Sequence, residues 1–101
     1  MPAAYLIVES SITDADTFKR YMAAAPEVVK AFGGDYLVRG GRMQVLEGDW
    51  QPPRLTVLRY PSFEQAQAMY DSPAYTHARS LRHGATACFN MVLVEGVEAP
   101  V

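Results

Sequence analysis

Three segments of this chain are apolar at both odd and even positions: Ala4 to Val8, Leu55 to Tyr60, and Phe89 to Val94. Successive side chains on a strand point to opposite sides, so a strand with one wet face alternates polar with apolar residues. These segments do not alternate, and each reads as a strand covered on both faces. Helices from the same chain can cover one face of such a sheet. The other face would be a large exposed apolar patch unless something covered it too. The economical cover is a second copy of the same sheet, so the sequence predicts a homodimer formed through the sheet faces.

The covering helices are legible between the strands. Phe18, Tyr21, Met22, Ala25, Val28, Val29 and Phe32 fall on one stripe of a wheel of ~100° per residue, with Lys19, Arg20, Glu27 and Lys30 opposite. This is an amphipathic helix. Thr13 with Asp16 resembles a capping box at its head, Pro26 is expected to kink it or restart it near Ala25, and Gly33-Gly34 supplies its stop. Asp35 to Arg39 and Arg42 to Glu47 both read as strand, with Gly40-Gly41 between them as a hairpin turn or a bend. Gly48 to Pro53 is a loop. Ser62 with Gln65 forms a second capping box, heading a helix with Phe63, Ala66, Met69 and Tyr70. Ser72-Pro73 then supplies a fresh N-cap and first-turn proline, so this helix is predicted in two pieces. Ala74, Tyr75, Ala78 and Leu81 form the buried stripe of the second piece. Arg82 and His83 suit its C-terminus, and Gly84 ends it.

The order is strand, helix, a two- or three-strand unit, a broken helix, and strand. It predicts an α+β, ferredoxin-like split βαβ sandwich, with an antiparallel sheet carrying two helices on one face. At 101 residues the chain is read as a single domain, 1–101, with its core over 4–96.

Composition narrows the function classes. Nine Lys and Arg against eleven Asp and Glu provide no basic field for phosphate backbones, and the cations are scattered singly, so nucleic acid is not an expected partner. The longest uncharged run, Gly84 to Val94, is well short of the roughly 20 residues of a membrane span, so no membrane association is expected. Met1 to Val8 has no basic start before Glu9. Cys88 is the single cysteine and has no disulfide partner within the chain. A reducing, cytoplasmic setting is the expectation, with Cys88 as a packing residue. Dinucleotide, P-loop and α/β-hydrolase signatures are absent. His77 and His83 are out of phase on a helix, so no metal site is predicted.

Several dispersed stretches carry a resemblance: Leu37 to Gly41, Leu46 to Arg54, Tyr60-Pro61-Ser62, Tyr70 to Tyr75 and Val94-Glu95-Gly96. Together they resemble the domain of unknown function 1330 family, a branch of the dimeric α+β barrel superfamily. The resemblance implies a ferredoxin-like protomer pairing sheet to sheet into a barrel. It brings no reaction, because the family is named for having none assigned, and related branches of the superfamily include cofactor-free oxygenases, isomerase-like enzymes and haem-binding proteins. Arg39, Glu47, Trp50, Arg54, Tyr70, Tyr75 and Arg82 match the family pattern and could act chemically. Arg59, Tyr60 and Met69 depart from it, at positions where glutamate, phenylalanine and tryptophan are common.

The candidate site is weighed residue by residue. Arg39, Arg54 and Arg59 come from segments expected to neighbour one another, and a guanidinium is a planar fork for carboxylates. Their competing role is ion pairing to Glu9, Glu47 or Asp49. Trp50 could cap a ligand or pack its loop. Tyr70 and Tyr75 flank the helix break, where their phenols could reach a pocket, and with Glu47 they are the candidate acids or bases. His77 could bind a ligand or haem, although a boundary histidine is more often hydrogen-bonded locally. The sequence therefore predicts a cofactor-independent enzyme acting on a small anionic metabolite, or else a non-catalytic dimer that binds one. No cofactor is called for. The catalytic candidates are Glu47, Tyr70 and Tyr75, and the ligand-binding candidates are Arg39, Trp50, Arg54, Arg59 and His77.

Overall fold

The first apolar segment becomes the central strand β1, Ala4–Ile12, of a four-stranded sheet. In the computed structural model, which describes residues 2–98, the sheet has the order β2-β3-β1-β4. Its other strands are β2 Asp35–Arg39, β3 Leu55–Tyr60 and β4 Thr86–Glu95. Every neighbouring pair is antiparallel. The helices are α1 Ala15–Ala31, α2 Phe63–Asp71 and α3 Pro73–Ser80. This is the predicted α+β architecture.

Burial alternates along β1, with Ala4, Leu6, Val8 and Ser10 buried and Tyr5, Ile7 and Glu9 only half buried. Leu6 and Val8 join Leu58 and Tyr60 of β3 with Val29, Ala66, Met69 and Tyr75 of the helices in one core. On the opposite face Val92 and Val94 are 60% and 44% exposed. The helices thus cover one side of the sheet and leave apolar side chains on the other. Among the described residues no helix is long and apolar enough to cross a membrane.

Three local expectations need correction, and a fourth, at Pro26, is narrowed. The N-cap of α1 is Asp14, whose carboxylate accepts from the Thr17 N–H at 3.1 Å and the Thr17 hydroxyl at 2.7 Å. A capping box on Thr13 would need its backbone N–H free, and that N–H donates to the Ala85 carbonyl at 2.8 Å. The Thr17 bonds hold the Asp14 carboxyl below its ordinary value.

Pro26 lies inside a continuous α1 without a restart. It leaves the Met22 carbonyl without its usual helical donor, and Arg39 Nη2 donates to that carbonyl at 3.1 Å. Arg42 to Glu47 forms no strand, so Gly40-Gly41 is neither a hairpin turn nor a strand bend. Gly40 takes φ +72° as β2 ends, and an exposed connection carries the chain to β3, leaving Leu46 83% exposed. An extended segment is a strand only with a ladder partner, and 42–47 has none. Finally, β4 begins at Thr86, three residues before the apolar run at Phe89.

The helix breaks where expected, although Ala74, expected in the buried stripe of the second piece, is exposed. Ser62 caps α2 by accepting from the Gln65 N–H. The Ser72 hydroxyl accepts from the Tyr75 N–H at 3.1 Å and donates to the Met69 carbonyl at 2.7 Å, closing one helix and opening the next.

Candidate functional site

A bulge in β2 assembles the site. Tyr36 pairs with Leu58, but Val38 pairs with Val57 and Arg39 with Thr56, so Leu37 is an extra residue. Regular alternation would send Tyr36 and Arg39 to opposite faces; the bulge brings both to the helix-covered side. Arg54, just before β3, shares that side with Thr56 and Leu58.

These residues and α1 enclose a cavity of about 40 Å³. That exceeds the roughly 10–15 Å³ a cavity needs to hold one water. Phe18 and Met22 of α1, Leu6 and Val8 of β1, and Phe89 and Met91 of β4 make its apolar wall. Its polar lining is Ser10, Thr56, three phenols (Tyr21, Tyr36 and Tyr75) and the two guanidinium groups of Arg39 and Arg54.

Arg39 is tied to the Met22 carbonyl and lies 4.5 Å from the Tyr36 ring centre. Arg54 lies 6.0 Å from the Phe18 ring centre and passes close to Gly40, where a Cβ would come within 2.7 Å of its Nε. Among the described residues neither arginine forms an ion pair with a carboxylate; the ion pair found there is Lys19 with Asp16, at 3.9 Å. Glu9 is engaged by Trp50 Nε1 at 3.1 Å and Asn90 Nδ2 at 3.0 Å.

The Tyr21 and Tyr75 hydroxyls share a hydrogen bond of 2.7 Å. Burial first, and then the Tyr75 neighbour, push the Tyr21 phenol well above its ordinary value. Burial raises Tyr36 as well, opposed by the charges of Arg39 and Arg54. Neutral phenols of this kind donate and accept hydrogen bonds but are poor bases near neutral pH.

The structure brings Arg39, Arg54 and Tyr75 together at the cavity. Tyr70 lies just outside, its ring 5.5 Å from that of Tyr75 and its hydroxyl bonded to Arg79. Trp50 binds Glu9 on the open face of the sheet, and Glu47 lies in the same exposed connection, in a separate hollow with Trp50. Arg59, opposite Tyr5 in the ladder, is also on the open face. His77 is exposed on α3 and does not line the cavity. Ser10, Tyr21, Tyr36 and Thr56 line the site although sequence reasoning does not single them out. Tyr21 is visible in the sequence only as a member of the α1 stripe, and Tyr36 depends on the bulge. Among the described residues no group of three His, Cys, Asp or Glu side chains could hold a metal ion.

Comparison with known proteins decides the family, since residues 3–97 match the domain of unknown function DUF1330. The chain belongs to the DUF1330 family. No curated protein matches it. A similar solved structure is a protein of unknown function from Rhodopseudomonas palustris, 16% identical with a TM-score of 0.77, covering 97% of this chain and 85% of that one. A dimeric ferredoxin-like protein of unknown function from Thermobifida fusca is 15% identical, with a TM-score of 0.63 and coverage of 93% and 91%. A candidate antibiotic biosynthesis monooxygenase from Nitrosomonas europaea is 18% identical, with a TM-score of 0.57 and coverage of 94% and 90%. At these identities the likeness shows that this DUF1330 chain shares their fold, and nothing more.

Proposed function

We propose that the cavity binds a small organic anion with an apolar body. Its carboxylate would lie between Arg39 and Arg54, its body against Phe18, Met22 and Phe89, and its far end near the Tyr21–Tyr75 hydroxyl pair. The observation that carries this reading is a pair of guanidinium groups with no carboxylate partner among the described residues, on the wall of a cavity whose other side is apolar. Ligand sites usually enclose about 300–1,000 Å³, so anything beyond a few atoms requires Arg39, which is exposed, and the flexible Met22 to swing aside.

Thermal shift and calorimetry with a panel of small aliphatic and aromatic carboxylates test it. Losing a charge-assisted bond of about 1.5–3 kcal/mol should weaken binding roughly 10- to 100-fold in Arg54→Gln. Equal affinity in the parent and in both Arg39→Gln and Arg54→Gln refutes the site.

A second reading, favoured by the phenol pair and by the monooxygenase name of one structural neighbour, is a cofactor-independent enzyme acting on the same anion. Tyr75 would give its hydroxyl proton to the α-carbon of a substrate bound as its enol and take one back from the enol O–H through the Tyr21 hydroxyl, a net enol-to-keto shift, while the arginines hold the carboxylate. Glu47 and Tyr70 lie outside the cavity, so this reading rests on Tyr75. Turnover of an identified ligand that is abolished in Tyr75→Phe with binding retained supports the enzyme; binding with no turnover in the parent leaves the binding protein. The open sheet face is proposed to pair with a second copy of the chain, a reading supported by its apolar side chains and by the dimeric Thermobifida fusca neighbour.

A further inference from the structure

Beyond the cavity, α3 and the turn after it direct three potentially cationic side chains, Arg79, Arg82 and His83, into one groove of about 590 Å³. Phe89 and Met91 of β4 and Tyr70 of α2 line it with them, and no carboxylate is among the described residues that do. The size is that of a small-molecule site.

Arg82 is held against aromatic rings. Its guanidinium carbon lies 3.6 Å from the Phe89 ring centre and 5.1 Å from that of Tyr21, cation–π distances that fix it in the wall of the groove. Among the described residues its buried Nε has no hydrogen-bond partner, so an anion in the groove would be met by the terminal nitrogens. Arg79 is positioned by its bond to the Tyr70 hydroxyl, with its guanidinium carbon 5.1 Å from that ring. Helix capping does not account for the cluster. The carbonyls of Ala78, Arg79 and Ser80 already accept from the backbone N–H groups of Leu81, Arg82 and His83.

We propose that this groove is a second anion site, distinct from the cavity, that takes a phosphate monoester with an apolar body lying on Phe89 and Met91. Two guanidinium groups and an imidazole with no acid among them suit an anion carrying about −1.5 to −2 charge and three acceptor oxygens. Phe89 and Met91 also line the cavity, so they form the partition between the two sites.

The test is titration of the full chain with phenyl phosphate and, separately, inorganic phosphate, followed by calorimetry and by amide chemical shifts. Saturable binding of phenyl phosphate is expected, tighter than that of inorganic phosphate, with shifts in residues 79–89. Arg79→Gln and His83→Gln should each weaken it about tenfold, while Arg54→Gln leaves it unchanged. These two positions are chosen over Arg82, whose guanidinium also packs against Phe89. The proposal fails if millimolar phenyl phosphate does not saturate, if Arg79→Gln and His83→Gln bind like the parent, or if the loss occurs in Arg54→Gln instead.

Discussion

Tyr60 is wholly buried, and among the described residues its hydroxyl has no hydrogen-bond partner. Its ring packs so closely against Gly34 that a Cβ there would come within 2.6 Å. A buried unsatisfied hydroxyl costs about 1–3 kcal/mol, so Tyr60→Phe should raise the urea-unfolding free energy by about 1 kcal/mol. A loss of stability would mean that the hydroxyl has a partner. Burial also raises the Tyr60 phenol, and Tyr21 still more. Both hold their protons more tightly when folded than a free phenol, which titrates near about 10. Their stabilising contribution is complete below that pH and is lost as pH climbs toward the folded values, because there the unfolded chain binds fewer protons. Unfolding free energy should therefore be insensitive to these groups near neutrality and fall above pH ~10, by up to about 1.4 kcal/mol per pH unit for a single phenol. Tyr21→Phe should flatten that fall, and an identical slope in parent and variant would show that Tyr21 does not contribute.

Ser72 joins two elements through one side chain, terminating α2 at the Met69 carbonyl and initiating α3 at the Tyr75 N–H. Because α3 carries Tyr75 into the cavity, the cap positions a site residue as well as a helix. Ser72→Ala should cost about 1–2 kcal/mol in chemical denaturation, whereas Ser72→Asn, which keeps a capping acceptor, should cost less. Equal losses in the two variants would show that the cap is not what Ser72 supplies. In α1, Pro26 frees the Met22 carbonyl that Arg39 takes, so a residue costly to a helix interior orients a guanidinium of the proposed anion site.

The whole protomer leaves Leu37, Val92 and Val94 at least 44% exposed, a distribution that suits an interface better than a solvated surface. Light scattering should give a mass near twice the 11.2 kDa of the chain. Val92→Arg, on the open face, should shift it toward the monomer while circular dichroism stays native. A folded monomer in the parent would remove the sheet-to-sheet pairing.

Local chemistry makes most of the elements legible in the sequence. The α1 stripe, the Ser62 cap and the Ser72-Pro73 break are set by neighbours a few residues away, and β1, β3 and β4 announce themselves by apolar composition. The same information implies a sheet with one face under helices and one left open. Contacts between distant segments decide the rest. Arg42 to Glu47 has strand-like composition, but a strand exists only through a ladder partner, and the tertiary structure provides none. Thr13 yields the cap to Asp14, whose carboxylate takes the Thr17 N–H, while the N–H groups of both residues turn to the Ala85 carbonyl, far along the chain. Tyr36 and Arg39 share a face only because β2 and β3 pair with an extra residue at Leu37, and Arg59 and Trp50 fall on the other side of the sheet from Arg54. Registers of this kind are fixed by how strands and helices pack together, a non-local energy that spacing along one sequence does not contain.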